Sequence, residues 1–148
     1  MSELAPSTAT KRPEFRNIHA FRDLPGYRWP PAAVVSGMHR ASGLMMFLLL
    51  PFIIWMFDNS ISSEISFAKF RSAFSIGMLG LPGLIWKLVV LALIWAYLHH
   101  LLAGLRHIWM DASHAAVSKE FGKRSAVTVI AMSLGLTLVL GAKLFGIY

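Results

Sequence analysis

Cysteine is absent from this chain of 148 residues, and charged residues are scarce. Without thiols, the chain cannot form disulfides, thiolate zinc sites, iron–sulfur ligation or a cysteine nucleophile. Charged residues make up only 14% of the sequence, while 56% of the residues are hydrophobic. Soluble domains carry about one quarter charged residues. The composition therefore excludes an ordinary soluble domain.

The apolar residues form long blocks, which is typical of an integral membrane protein. The predicted fold class is all-α and membrane-integral, with three transmembrane helices. The predicted spans cover about residues 32–57, 84–110 and 126–147. We expect one transmembrane domain at residues 32–148, preceded by a polar cytoplasmic arm at residues 1–31. Residues 59–80 are polar to mildly amphipathic, a pattern compatible with a short interfacial helix between the first two spans.

Basic residues give the chain a net charge of +7. They cluster at the ends of the spans, so membrane topology explains them better than a nucleic-acid surface, and no nucleic-acid partner is expected. The amino-terminal arm carries five Lys/Arg, and the predicted loop at residues 111–125 carries three. The positive-inside rule then places the amino terminus and this loop in the cytoplasm and the carboxyl terminus in the periplasm.

Ionisable residues within the second span are the main indication of a function beyond membrane anchoring, because transferring an ionisable side chain into lipid has a high free-energy cost. His100, Gly104, His107 and Asp111 are spaced i, i+4, i+7 and i+11, which aligns them in one stripe of a helix. His100 lies about 10 Å deeper than His107 at 1.5 Å per residue. His99 points about 100° away from this stripe.

This stripe favours a haem site, since histidine is the usual protein ligand of haem iron. His100 is the predicted axial ligand, and basic groups nearer the interface, such as His107, could meet the propionates. A second ligand at the same depth is most simply supplied by another polypeptide. The alternative is that these histidines only hydrogen-bond a neighbouring helix, which is the expected role of His99.

Ser36 and Arg40 form a second candidate site near the start of the first span. A quinone needs an apolar pocket with one or two donors for its carbonyl oxygens, and a hydroxyl and a guanidinium supply them. Arg40 could instead pair with a haem propionate or extend to the membrane interface. Asp111 is a candidate proton or charge partner, with an ordinary helix-end residue as the alternative.

Two motifs resemble a known family. They are Ser36-x-x-His39-Arg40-x-Ser42-Gly43 in the first span and His100-x-x-x-Gly104-x-Arg106-His107-x-x-x-Asp111 in the second. In this order, and with three spans, they resemble the cytochrome b556 subunit of bacterial succinate dehydrogenase, a membrane anchor of respiratory complex II.

The resemblance implies haem b as cofactor and ubiquinone as substrate, with His100 as the iron ligand. It places His39 near the propionates and assigns Ser36 and Arg40 to the quinone site. The implied partners are a second small anchor subunit that supplies the other haem ligand, an iron–sulfur subunit, a flavoprotein and the lipid bilayer. The implied location is the bacterial inner membrane, and succinate oxidation is shared, so the chain alone is expected to have no activity.

Three alternatives remain at this point. A fumarate reductase anchor would run the same chemistry in reverse, and a stand-alone haem-b carrier linked to quinone would work without the other subunits. A structural membrane subunit would use its polar residues only to join helices.

Overall fold

The computed structural model describes residues 18–148, with residues 114 and 115 described by their backbone only. Residues 1–17 of the predicted arm lie outside the described part. The elements are α1 (Ala20–Asp23), α2 (Pro31–Leu48), α3 (Leu50–Ile61), α4 (Glu64–Ser75), β1 (Gly77–Met78), β2 (Leu81–Pro82), α5 (Gly83–Ala112), a 3₁₀ turn (His114–Val117) and α6 (Lys119–Leu144).

Helices α2, α5 and α6 pack against one another around a core of small residues. Ala96 and Ala103 of α5 and Ala126 of α6 are completely buried. Small side chains let helix backbones approach closely, which is how membrane helices associate without a hydrophobic driving force between them. The bundle therefore brings the polar faces of α2 and α5 next to each other.

Large apolar side chains face outward from this bundle. Phe47 on α2 is 71% exposed and Leu138 on α6 is 74% exposed. Such a surface suits lipid rather than water, and α5 and α6 are each long and apolar enough to cross a bilayer. The prediction of a helical transmembrane protein is confirmed.

The first predicted span, residues 32–57, is not one straight helix. Helices α2 and α3 meet at Leu49 with a bend of 57°. Pro51 has no N–H to donate to the preceding turn, and its ring clashes with the carbonyl four residues earlier, so the helix breaks just before it. The described residues contain two unbroken helices that could each cross a membrane. A third crossing requires α2 and α3 together to form one broken span.

The segment between the first two predicted spans contains α4 and a tight hairpin. Ser63 caps α4 through a reciprocal capping box with Ser66, which explains where the helix begins. Leu79 and Gly80 have φ values of 53° and 76°, the left-handed conformation of a two-residue hairpin turn. A helix in this segment is confirmed, and its interfacial position stays a prediction.

The loop predicted at residues 111–125 is wrong in extent. Helix α5 continues to Ala112 and α6 already begins at Lys119. The Ser118 hydroxyl accepts a hydrogen bond from the Phe121 amide at 3.3 Å and so caps α6 about two turns earlier than the hydropathy indicates. This early start brings the first turns of α6 beside the end of α5.

Candidate functional site

Two adjacent faces of α5 carry the polar residues of the candidate site. His99 is completely buried and faces α6, whereas His100 is half-buried and faces α2. Adjacent residues of a helix point about 100° apart, so the two imidazoles belong to different interfaces. The expected separation of His99 from the stripe of His100 is confirmed.

The His100 imidazole is held by the backbone of α2. Its Nδ1 lies 3.0 Å from the His39 carbonyl oxygen and 3.3 Å from the Ser42 hydroxyl. The Ser42 hydroxyl donates to the same carbonyl at 2.8 Å. A carbonyl oxygen only accepts, so Nδ1 carries the proton, and Nε2 keeps its lone pair. Nε2 of His100 forms no hydrogen bond to any residue between 18 and 148.

Gly43 makes this close approach of α2 and α5 possible. A Cβ at position 43 would lie 2.9 Å from His100 Cε1 and 3.3 Å from its Nδ1. These separations are too short for a relaxed contact, so the ring would have to move. The sequence places Gly43 on the face of Ser36 and His39, but only the packed helices reveal its contact with His100.

Replacing Gly43 by alanine is expected to displace the His100 ring and to lower the stability of the protein by about 1–3 kcal/mol, the usual cost of overpacking a tight contact. The midpoint of thermal denaturation in detergent measures the change. Gly37→Ala on the same helix is the matched control, because a Cβ there meets nothing within 4 Å. A midpoint lowered equally in both variants would contradict the contact's role.

Three imidazoles follow one another along this interface. The ring centroids of His39 and His100 lie 4.1 Å apart in a stacked arrangement, and those of His39 and His107 lie 5.3 Å apart. A Cβ at Gly104 would lie 3.7 Å from His39 Nε2, an ordinary contact. The structure thus brings together the three histidines that the sequence assigned to the iron and the propionates.

His99 joins α5 to α6 away from that interface. Its Nδ1 lies 3.3 Å from the Ser133 hydroxyl, and the Ser133 hydroxyl also donates to its own helix at the Ile130 carbonyl. Nε2 of His99 is buried and has no hydrogen-bond partner in the described part of the chain. The contact joins α5 to α6 on a face of α5 about 100° from that of His100.

Ser133→Ala is expected to lower the thermal stability of the purified complex by about 1 kcal/mol, the usual value of an interhelical hydrogen bond in a membrane. The midpoint of thermal denaturation in detergent measures the change. Ser75→Ala is the control, because the Ser75 hydroxyl bonds only to carbonyls of its own helix. A midpoint lowered as much in the control as in Ser133→Ala would argue against the interhelical bond.

Ser36 and Arg40 lie one turn apart on α2, as the spacing predicts. Arg40 is exposed, and its Nε donates to the Ser36 carbonyl at 3.4 Å. Ser36 is half-buried, and Asp111 at the end of α5 is exposed. The guanidinium and the hydroxyl are thus free to meet an apolar ligand at this end of the bundle. The partner role of Asp111 stays a prediction.

Arg106 faces a different helix from the three histidines. Its side chain is only 8% exposed. Nε donates to the Ser125 hydroxyl at 2.9 Å and Nη2 to the Gly122 carbonyl at 3.2 Å. The sequence could have predicted this orientation of Arg106, because Arg106 follows His99 by seven residues and therefore lies on the same face of the helix.

A sequence model of the "Succinate dehydrogenase/Fumarate reductase transmembrane subunit" family matches residues 13–140. A succinate dehydrogenase cytochrome b556 subunit of Coxiella burnetii (strain RSA 493 / Nine Mile phase I) is 35% identical over 111 residues, covering 75% of this chain and 83% of the relative. A subunit of the same name from Paracoccus denitrificans is 32% identical over 117 residues, covering 76% of this chain and 81% of the relative.

Proposed function

Because the chain belongs to the family of succinate dehydrogenase/fumarate reductase transmembrane subunits, we propose that it binds haem b and helps to form a quinone-reduction site. The observation that carries the proposal is the hydrogen bond between His100 Nδ1 and the His39 carbonyl at 3.0 Å. Histidine ligands of metals are almost always held in this way through their second nitrogen.

The residues around His100 suit a haem ligand. The backbone acceptor fixes the tautomer of the ring, so Nε2 is the nitrogen that would bind iron. Ser42 and Gly43 hold the ring against α2, and a side chain larger than glycine would push it away. When bound, haem b supplies a one-electron acceptor and donor inside the membrane. His100 would hold the iron, while His39 and His107 would lie nearest the propionates.

A second axial ligand would come from outside this bundle. His99 forms its hydrogen bond to α6 on another face of α5, and His39 and His107 are the residues proposed for the propionates. A histidine from a second small anchor subunit would complete the coordination. This requirement supports a complex in which the haem lies between two membrane subunits.

Ser36 and Arg40 would form the donor end of the quinone site. The Ser36 hydroxyl and the Arg40 guanidinium would donate to the carbonyl oxygen of ubiquinone, and the positive charge of Arg40 would stabilise negative charge that develops there. Asp111, at the same end of the bundle, is the candidate for delivering a proton. These residues would lie at the cytoplasmic side of the inner membrane, with the amino terminus in the cytoplasm.

The proposed partners follow from membership of this family. Electrons from succinate would arrive through an iron–sulfur subunit that receives them from a flavoprotein, and this chain has no cysteine to hold such a cluster itself. The chain alone would catalyse nothing. A fumarate reductase anchor would use the same site with electrons flowing in the opposite direction.

The test is to purify the chain from its native membrane with its partners and to record a dithionite-reduced minus oxidised spectrum. The proposal predicts b-type haem bands together with succinate:quinone activity. A complex with activity but no b-type bands would refute haem binding. Bands without any flavoprotein or iron–sulfur subunit would instead favour a stand-alone cytochrome.

A further inference from the structure

A groove of about 510 Å³ lies between α5 and α6, on the side of Arg106 that the haem and quinone proposals do not use. Its deep end is apolar and contains Leu102 of α5 and Met132 of α6. One turn towards the end of α5, its lining becomes cationic, with Arg106 and Arg124 on opposite walls. The groove thus has an apolar part and a positively charged part in the order found across a lipid leaflet.

The lining of the groove contains no carboxylate, and Glu120 instead lines the two neighbouring cavities, one with Arg124 and one with Arg106. The lining residues are Leu102, Arg106, Trp109, Phe121, Arg124, Ser125, Thr128, Val129 and Met132, and none of them is acidic. Arg106 uses two of its five N–H groups on Ser125 and Gly122, and the other three form no hydrogen bond within residues 18–148. A guanidinium that is 8% exposed normally needs an anion beside it.

We propose that this groove binds an anionic phospholipid of the adjacent leaflet, with the lipid phosphate between Arg106 and Arg124. The Ser125 and Thr128 hydroxyls lie in the same lining, but each already donates to a carbonyl of its own helix, so the donors to the phosphate are the two guanidinium groups. One acyl chain would follow Leu102, Val129 and Met132 into the membrane. Basic pockets between membrane helices on the cytoplasmic side are known to select such head groups.

The position along the helices supports a lipid over a soluble anion. Leu102 precedes Arg106 by one turn and Trp109 follows it by about one turn, so the cation lies between an acyl-depth residue and an aromatic side chain that is 62% exposed. Tryptophan is enriched where acyl chains meet head groups. A free phosphate would use only the cationic end and leave the apolar part without a ligand.

The test uses the intact complex, delipidated in mild detergent and examined by native mass spectrometry after addition of phosphatidylglycerol or phosphatidylcholine with identical acyl chains. Wild type is expected to retain phosphatidylglycerol in preference to phosphatidylcholine. Arg124→Gln is expected to lower this retention about fivefold. Lys143→Gln is the matched control, because it removes the same charge from the last turn of the same helix, outside the lining of this groove.

Two further arms separate the sources of an anion and the role of the apolar part. Inorganic phosphate in excess should not displace the phospholipid, and Met132→Trp should lower retention by filling the acyl path without changing charge. Equal losses in Arg124→Gln and Lys143→Gln would overturn the proposal, as would equal retention of the two lipids, displacement by phosphate, or full retention in Met132→Trp. The haem spectrum of Arg124→Gln should match wild type, so the result is independent of the haem proposal.

Discussion

Replacing His100 by leucine is expected to lower the haem content of the purified complex by more than about tenfold. Leucine has no lone pair for iron and no N–H for the His39 carbonyl, so both the ligand and its anchor are lost. Loss of an outer-shell partner alone lowers metal affinity about 10- to 100-fold. The haemochrome spectrum and the reduced difference spectrum measure the loss, and dye-linked succinate oxidation reports whether the complex still assembles.

His99→Asn is the matched control for this experiment. Its amide can replace the hydrogen bond that His99 Nδ1 makes to Ser133 of α6, and position 99 lies about 100° around the helix from position 100. The haem content is therefore expected to stay close to wild type. Equal haem loss in both variants, with the complex intact, would contradict the assignment of the ligand to the face of His100.

Arg40→Gln is expected to lower succinate:quinone turnover about 10- to 100-fold, because a hydrogen bond from a charged donor contributes about 1.5–3 kcal/mol. Ser36→Ala removes a neutral donor and should lower turnover about fivefold. In the proposed complex, electrons would still reach an artificial dye from the flavoprotein subunit, so dye-linked succinate oxidation should survive in both variants. The ratio of the two activities isolates the quinone step.

Arg71→Gln provides the control for charge removal. Arg71 is an exposed residue of α4, outside the candidate site, and its loss should leave the activity ratio unchanged. Quinone turnover that is unimpaired in both Arg40→Gln and Ser36→Ala would remove these residues from the site. A loss of dye-linked oxidation in the same variants would indicate failed assembly instead.

Helical periodicity was sufficient to place the main candidate ligand. The 100° rotation per residue separates His99 from His100, and the packed bundle turns the two rings to different helices. Composition alone was sufficient for the membrane-helical fold. The direction of a side chain around a helix and the apolar character of a helix both depend only on nearby residues, so the sequence alone can predict them.

Contacts between helices could not be predicted from the sequence by periodicity or composition. The approach of Gly43 to His100 depends on the distance between α2 and α5, which no periodicity encodes. The Arg106 contacts require α6 to begin at Lys119, whereas hydropathy places the span start at residue 126, after the polar first turns. The bend at Leu49 could have been predicted from the sequence, because Pro51 interrupts an apolar run and proline breaks or kinks a helix. The prediction of one continuous span did not take this proline into account.

The most direct test of the central claim is a cryo-electron microscopy map of the complex purified with its haem. The account predicts density from His100 Nε2 to the iron, with His100 Nδ1 still within hydrogen-bond distance of the His39 carbonyl. A haem ligated by other residues, or a His100 ring facing lipid with no porphyrin beside it, would contradict the account.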